Sequence, residues 1–316
     1  MTKKILITGA LGQIGSDLLL ALKEKYGAEN VIASDLKSAP NNKEAYPYEI
    51  VDILKKDTLK HVIKKHNINT VYHLAAILSA AGENNPQLCW DVNINGLHNV
   101  LETCRETGVK QIICPSSIAV FGPNSPRENT PQETILMPTT LYGVTKVSGE
   151  LLCDYYVKKY KMDIRGIRYP GLISYKSLPG GGTTDYAVEI FYSALKKETY
   201  KCFLSSDTVL PMMYMPDAIR GTIQLSESPF ENLNHYSNFN FASVSFSCEE
   251  IAQEIQKHLP EFKIEYHPDH RQAYANSWPK SIDDSSAQKE WGWKPKYNLS
   301  MIVEDMLKNL SKKIHS

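Results

Sequence analysis

Short apolar runs alternate with stretches of near-3.6 periodicity from the first residues of this chain onward. Lys4-Ile5-Leu6-Ile7-Thr8 has the unbroken apolar centre of a buried parallel strand, and Ile14, Leu18, Leu19 and Leu22 then fall on one side of a helix. Further strands are predicted over 31–35, 48–51, 70–76 with its exit loop, 111–117 and 164–168. Helices are predicted over 91–107, where Val92, Leu97, Val100 and Leu101 are apolar, and over 142–160. Strand and helix in alternation predict an α/β fold, a Rossmann doubly wound parallel sheet covered on both faces. After Arg168 the texture changes. Pro170-Gly171 and Pro179-Gly180-Gly181-Gly182 break the chain. Helices over 184–197, 215–226, 248–258 and 299–310 follow, with strands over 238–241 and 263–266. The expected plan is a nucleotide-binding domain over 1–170 with a return strand near 238–242. A smaller, interleaved substrate-binding region is expected over 171–316.

The first strand runs into Gly9-Ala10-Leu11-Gly12-Gln13-Ile14-Gly15. Strand, glycine turn and helix together are the context in which backbone N–H groups receive a dinucleotide pyrophosphate at a helix N-terminus. Asp35 ends the second strand about twenty residues on, where an acid can bind the ribose hydroxyls of NAD and repel the 2′-phosphate of NADP. Lys37 lies close enough to soften that preference. Asp52 and Ile53 follow the third apolar stretch; Asp52 is placed either to accept from the adenine amino group or simply to cap the loop. Ligands of open α/β sheets sit beyond the carboxyl ends of the strands. The expected cofactor-binding set is Gly9, Leu11, Gly12, Gln13, Ile14, Gly15, Asp35, Asp52, Ile53, Leu74, Ala75, Ala76, Tyr142, Lys146 and Tyr169, and the expected cofactor is NAD.

Tyr142 and Lys146 stand four residues apart on the predicted long helix, so they share a face one turn apart. An ammonium beside a phenol favours the phenolate, and a phenolate can take the proton of an alcohol. The fifth strand ends in two hydroxyls, and Ser117 is one candidate to orient that alcohol. Ser116 is the neighbouring alternative.

Composition narrows the field. The chain has 316 residues with 35 basic and 35 acidic side chains, and no basic face or arm, so a nucleic-acid partner is not expected. No run approaches the roughly 18 apolar residues of a membrane span. The first strand begins too early to leave room for a targeting peptide, and six scattered cysteines without a Cys-x-x-Cys fit a reducing compartment; the expected location is cytoplasmic. His267-Pro268-Asp269-His270 reads as a surface loop, and no metal site is expected.

Gly9-x-x-Gly12-x-x-Gly15, Ser117, Tyr142-x-x-x-Lys146 and Arg168-Tyr169-Pro170-Gly171 resemble the extended short-chain dehydrogenase/reductase superfamily over the whole chain. Its sugar-nucleotide epimerases and dehydratases usually carry Asn after the sixth strand, where this chain has Pro170-Gly171-Leu172-Ile173-Ser174. Three further blocks, at 178–187, 210–217 and 276–284, are similar to the short-chain type of L-threonine 3-dehydrogenase family. That resemblance implies NAD-dependent oxidation of the C3 hydroxyl of L-threonine to 2-amino-3-oxobutanoate. It implies Tyr142 as base, Lys146 as its partner on the nicotinamide ribose, and Ser117 on the reacting oxygen. Substrate contacts are expected from Ser79, Ser117, Tyr142, Gly182, Thr183, Thr184 and Trp278. A homodimer is implied, pairing the helices over 91–107 and 142–160 as a four-helix bundle. The alternatives are a sugar-nucleotide epimerase or dehydratase and a non-catalytic NAD-sensing protein. The epimerase needs basic groups for a substrate pyrophosphate, and Arg271 is the only arginine after Arg220.

Overall fold

The computed structural model describes residues 3–38, 46–180 and 182–314; Gly181 of the glycine run lies outside them. The chain divides into two compact units, and it passes between them five times.

The first unit comprises Met1–Ser117, Leu141–Arg168 and Thr222–Phe239. Its strands β1 (Ile5–Thr8), β2 (Val31–Asp35), β3 (Tyr48–Ile50), β4 (Thr70–His73), β5 (Gln111–Ile113) and β7 (Asp163–Arg165) form one parallel sheet in the order β3-β2-β1-β4-β5-β7. This is the doubly wound order expected from the alternation. Ile5 pairs with both Val31 and Thr70, so Thr8, Ser34 and His73 end level with one another. The helices are α1 (Gln13–Tyr26), α2 (Lys56–Lys65), α3 (Ser79–Asn84), α4 (Pro86–Trp90), α5 (Leu97–Thr107) and α6 (Leu141–Tyr160). Leu6, Ile32, Val71, Ile112 and Ile164 of the sheet share one core with Leu59 and Val62 of α2, Leu97 and Leu101 of α5 and Cys153 of α6. Burial on both faces explains the apolar run Ile5-Leu6-Ile7 at the centre of β1.

Two expectations are corrected here. The sixth strand is cut at Gly166. Its first half, β7, stays in the main sheet. Its second half, β8 (Ile167–Tyr169), joins a ladder with β6 (Ser116–Ser117) and β12 (Phe239–Asn240). The return strand therefore belongs to this small ladder and not to the main sheet. A Cβ on Gly166 would lie 2.2 Å from the Cys114 carbonyl oxygen and 2.7 Å from that of Ser237, so only glycine lets the strand change sheets there. The helix expected over 91–107 is also interrupted. Asp91–Gly96 is a π-helical segment between α4 and α5.

The second unit comprises Ile118–Thr140, Tyr169–Gly221 and Asn240–Ser316. β9 (Gly171–Ile173) pairs parallel with β11 (Val209–Tyr214), which pairs antiparallel with β13 (Val244–Ser247); β10 (Tyr200–Cys202) pairs parallel with β14 (Ile264–Tyr266). The helices are α7 (Tyr186–Leu195), α9 (Cys248–Gln256), α10 (Arg271–Ser277), α11 (Ser285–Trp291) and α12 (Leu299–Ile314), and α8 (Met215–Glu227) is divided between the units. Residues 118–140 were expected in the nucleotide domain, but hydrogen bonds hold them in this unit. Thr130 N–H donates to the Ser281 carbonyl at 3.0 Å, and the Asn240 side-chain amide donates to the carbonyls of Thr130 and Asp283 at 3.1 and 3.0 Å.

Candidate active site

The glycine turn and the β4 exit touch. Gly9 has φ +71°, and a Cβ on it would lie 2.7 Å from Ala75 N, inside the Leu74-Ala75-Ala76 exit of β4. Leu74 N–H donates to the Thr8 carbonyl at 3.0 Å. Gly15 lets α1 sit down on the turn, because a Cβ there would meet Gly9 O at 2.2 Å. Gly12 caps α1 without a side-chain hydrogen bond, and no acid occupies the first turn. The N–H groups of Gln13, Ile14 and Gly15 thus belong to a helix start suited to an anion. The uncapped helix and the bare turn fit the pyrophosphate of a dinucleotide.

Asp35 faces this turn. Its Oδ2 accepts from Leu11 N–H at 3.1 Å and its Oδ1 from Lys37 N–H at 3.4 Å. A 2′-phosphate would meet this carboxylate directly. The protein is therefore expected to use NAD in preference to NADP, and Asp35→Ala to cost roughly 1.5–3 kcal/mol of NAD efficiency while narrowing the gap. Steady-state kinetics with both cofactors tests this; equal efficiency in the unmutated protein would refute it. Asp52 is engaged in its own loop, accepting from Leu54 N–H at 3.0 Å with Lys55 Nζ at 3.7 Å. Ile53 is buried against Gly96, where a Cβ would lie 2.6 Å from Ile53 Cδ1.

Tyr142 and Lys146 lie on the first turns of α6. Lys146 Nζ is 5.6 Å from the Tyr142 ring centroid and donates to the Pro115 carbonyl at 3.0 Å, so the ammonium is pinned between the phenol and the strand end. The two serines of β6 separate by strand alternation. Ser116 is buried and its hydroxyl donates to Glu150 Oε1 at 2.5 Å, whereas Ser117 is partly exposed. Glu150, one turn beyond Lys146, also takes a two-pronged ion pair from Arg168, with Nε to Oε1 at 2.9 Å and Nη2 to Oε2 at 2.8 Å. Their side chains are only 5% and 2% exposed. The continuing stripe Lys146, Glu150, Cys153 was visible in the sequence spacing, but its meaning needed Arg168 opposite it.

Two other buried groups also escaped the sequence reading. Asn93, inside the π-helical segment, accepts from Ile77 N–H at 2.8 Å and donates to the Ile77 carbonyl at 3.0 Å and to Thr145 Oγ1 at 3.1 Å. Thr145 in turn donates to the Tyr142 carbonyl at 2.8 Å, so one amide ties the loop after β4 to the start of α6. His73 shares a 2.8 Å hydrogen bond between its Nδ1 and Thr8 Oγ1. Burial, with the Lys146 charge adding to it, pulls its pKa down to about 3 and keeps the ring neutral beside that lysine. Ser79, expected to contact substrate, is the first residue of α3.

In the second unit, Tyr169 ends β8 and packs edge-on against Phe241 at 5.9 Å. Thr183 is buried. Thr184 is partly exposed, and its methyl lies against Gly171, where a Cβ would come within 2.7 Å of it. Gly182, expected to contact substrate, has its backbone donor already engaged. The N–H groups of Gly180 and Gly182 both donate to Asp185 Oδ2, at 2.7 and 2.8 Å, and the helix begins only at Tyr186. An anion at Gly182 must displace that carboxylate. Trp278 follows α10 and is 6% exposed, a buried residue of this unit.

Among the described residues no cluster of three or more potential metal ligands occurs, and no helix is long and apolar enough to cross a membrane. The family model for the NAD dependent epimerase/dehydratase family matches residues 5–240, from β1 through the return strand. The chain belongs to this family. Its members' cofactor is NAD, and the uncapped α1 with Asp35 fits it; the protein is an NAD-dependent oxidoreductase. An uncharacterized epimerase/dehydratase of Staphylococcus haemolyticus is 46% identical over 314 residues, covering 98% of each chain. Among solved structures, an L-threonine dehydrogenase from Clostridium difficile is 51% identical with a TM-score of 0.96, covering 99% of this chain and 98% of its own. An L-threonine 3-dehydrogenase from a metagenome, described as monomeric, is 53% identical with a TM-score of 0.94, covering 98% and 99%.

Proposed function

We propose that this epimerase/dehydratase family member oxidises the C3 hydroxyl of L-threonine to 2-amino-3-oxobutanoate. The observation that carries the reading is the likeness, above half identity and over nearly the full length of both chains, to proteins described as L-threonine dehydrogenases. In the proposed mechanism Tyr142 Oη takes the hydroxyl proton. Lys146, held by the Pro115 carbonyl, stabilises the phenolate. Ser117 orients the substrate oxygen and donates to it as it becomes a carbonyl. NAD, when bound, supplies the two-electron acceptor. Thr184, with its hydroxyl in a partly exposed position, is assigned to the substrate carboxylate, and Ser79, Gly182, Thr183 and Trp278 to the surrounding contacts. Arg271, the only arginine after Arg220, is taken up by Asp269 at 2.7 Å and lies over the Phe203 ring, which speaks against a sugar-nucleotide pyrophosphate there.

The decisive assay is NADH absorbance with L-threonine beside a UDP-sugar control. L-threonine should turn over well, L-serine poorly for want of a buried methyl, and D-threonine not at all. Thr184→Val should raise the threonine KM more than it lowers turnover, by roughly 1–3 kcal/mol. UDP-sugar turnover without threonine activity at pH values from neutral to alkaline would overturn the substrate.

We further propose the homodimer expected above, pairing the helices over 91–107 and 142–160, with exposed apolar side chains on α6 and on α4, the short helix that leads into the first of them. Val144, Leu151 and Tyr155 follow one another at helical spacing on α6 and are 39, 67 and 50% exposed; Leu88 and Trp90 of α4 are 42 and 41% exposed. Exposed large apolar side chains aligned on the face of a long helix are the kind of surface a second copy can cover. Light scattering at micromolar concentration should give twice the chain mass, and Leu151→Glu should halve it. A monomeric unmutated protein, as described for the metagenomic relative, would refute the pairing.

A further inference from the structure

Glu150 stands one turn beyond Lys146 on α6, so the two side chains share a helix face. A carboxylate and an ammonium at that spacing are natural partners, yet each is engaged elsewhere. Lys146 donates to the Pro115 carbonyl at 3.0 Å, and the Glu150 carboxylate accepts from the Ser116 hydroxyl at 2.5 Å, so the two heads end on adjacent residues. Both Glu150 oxygens are taken up by Arg168 of β8, through Nε at 2.9 Å and Nη2 at 2.8 Å. With side chains 5% and 2% exposed, this pair is unscreened by water, and a carboxylate so deeply buried requires a cation. All of these residues belong to the first unit.

We propose that Arg168 is a positioning residue for the oxidation: by taking up the Glu150 carboxylate it leaves the Lys146 ammonium to Tyr142. The inference rests on the reading of Tyr142 as the base. Arginine suits this task better than a second lysine would. Its planar fork satisfies both carboxylate oxygens at once, and its charge persists at any pH an assay can use. Without that charge the carboxylate turns to the cation one turn back on its own helix. Lys146 then leaves the Pro115 carbonyl, and the ammonium that stands 5.6 Å from the Tyr142 ring is spent on Glu150. The phenol loses the neighbour that favours its ionised form, so its deprotonation moves to higher pH.

The surrounding titratable groups offer Glu150 no second buried cation. From β4, His73 faces Lys146 and is kept neutral by burial, with a pKa of about 3. From α4, Cys89 faces the same lysine, its thiol pushed up by burial. Glu83 of α3 accepts from Leu141 N–H at 2.8 Å, next to Tyr142. Cys114 precedes Pro115, and Cys153 lies one turn past Lys146 and Glu150 on the same stripe. Asp154 accepts from the Ser237 hydroxyl at 3.2 Å and holds Lys158 at 3.5 Å, a lysine 72% exposed.

The test is the pH dependence of kcat/KM for the full chain saturated with NAD, followed by NADH absorbance. The acid limb of that profile reports the base. Arg168→Met should move it up by about one pH unit, so the rate at a fixed pH below the limb falls about tenfold. Arg168→Gln keeps a hydrogen-bond donor beside the carboxylate and drops the charge; it should move the limb the same way, and it reports where the methionine variant does not fold. Glu150→Gln with Arg168→Met removes both charges and should return the limb to its original pH. A merely structural role would lower turnover and leave the limb where it was, so an unmoved limb in Arg168→Gln would overturn the proposal. A double variant shifted as far as the single would overturn it too. Cys114→Ala should keep the limb; losing it there would assign the limb to that thiol, against the proposal. Tyr142→Phe separates this inference from the reading beneath it. Near-normal turnover in that variant withdraws the base, whereas an inactive Tyr142→Phe beside an unmoved Arg168→Gln profile removes only the role of Arg168. If L-threonine is not the substrate, the profile is read with whichever alcohol the chain oxidises.

Discussion

Tyr142→Phe is expected to lower turnover at least about 100-fold while leaving NAD binding unchanged, because it removes the ionisable oxygen and keeps the ring. The ring itself has a structural task, since Lys146 stands 5.6 Å from its centroid, and phenylalanine preserves that packing. Lys146 also keeps its hydrogen bond to the Pro115 carbonyl, so the loss should be confined to proton transfer. Turnover by NADH absorbance and NAD affinity by fluorescence titration separate the two effects. Near-normal turnover would remove Tyr142 from the chemistry, and an equal loss of NAD affinity would make it a binding residue.

Glu150→Gln should be the most destabilising single change in the site. Arg168 is buried with a side chain 2% exposed, and two of its nitrogens rest on the Glu150 carboxylate. Removing the negative partner of a buried pair strands the other charge and costs roughly 3–5 kcal/mol. Pairing the change with Arg168→Met should restore much of the loss, because the stranded charge goes with it. Denaturant unfolding of the single and double variants measures this. A single variant within about 1 kcal/mol of the parent would show that the carboxylate is dispensable.

Legibility in the sequence followed burial. The parallel sheet could be read because its strands are buried and keep apolar centres, such as Ile5-Leu6-Ile7 and Ile112-Ile113. The glycine turn was legible because strand, glycines and helix fall within fifteen residues. What could not be read depends on contacts far apart in the chain. Residues 118–140 look like any loop until Thr130 is seen bonded to Ser281 and Asn240. Ser116-Ser117 has no apolar pattern, and its alternation acquires meaning only once Glu150 takes Ser116. The glycine run at 180–182 suggested open donors, yet Asp185 close by already accepts from Gly180 and Gly182.

The π-helical segment Asp91–Gly96 shifts the phase of everything before it. Stepping back seven residues from buried Leu97 at ordinary helical pitch lands on Trp90, which is 41% exposed; the buried residue is Cys89, one position earlier. One added residue therefore does two things at once. It brings the Asn93 amide in to Ile77 and Thr145, and it turns the Trp90 indole out to the surface. Losing a residue there would restore an even helix and rotate α4 by about 100°. The helix would survive, but the tether on the start of α6 and the outward facing of Trp90 would go together. The inward reach of Asn93 and the outward facing of Trp90 are thus two ends of one insertion.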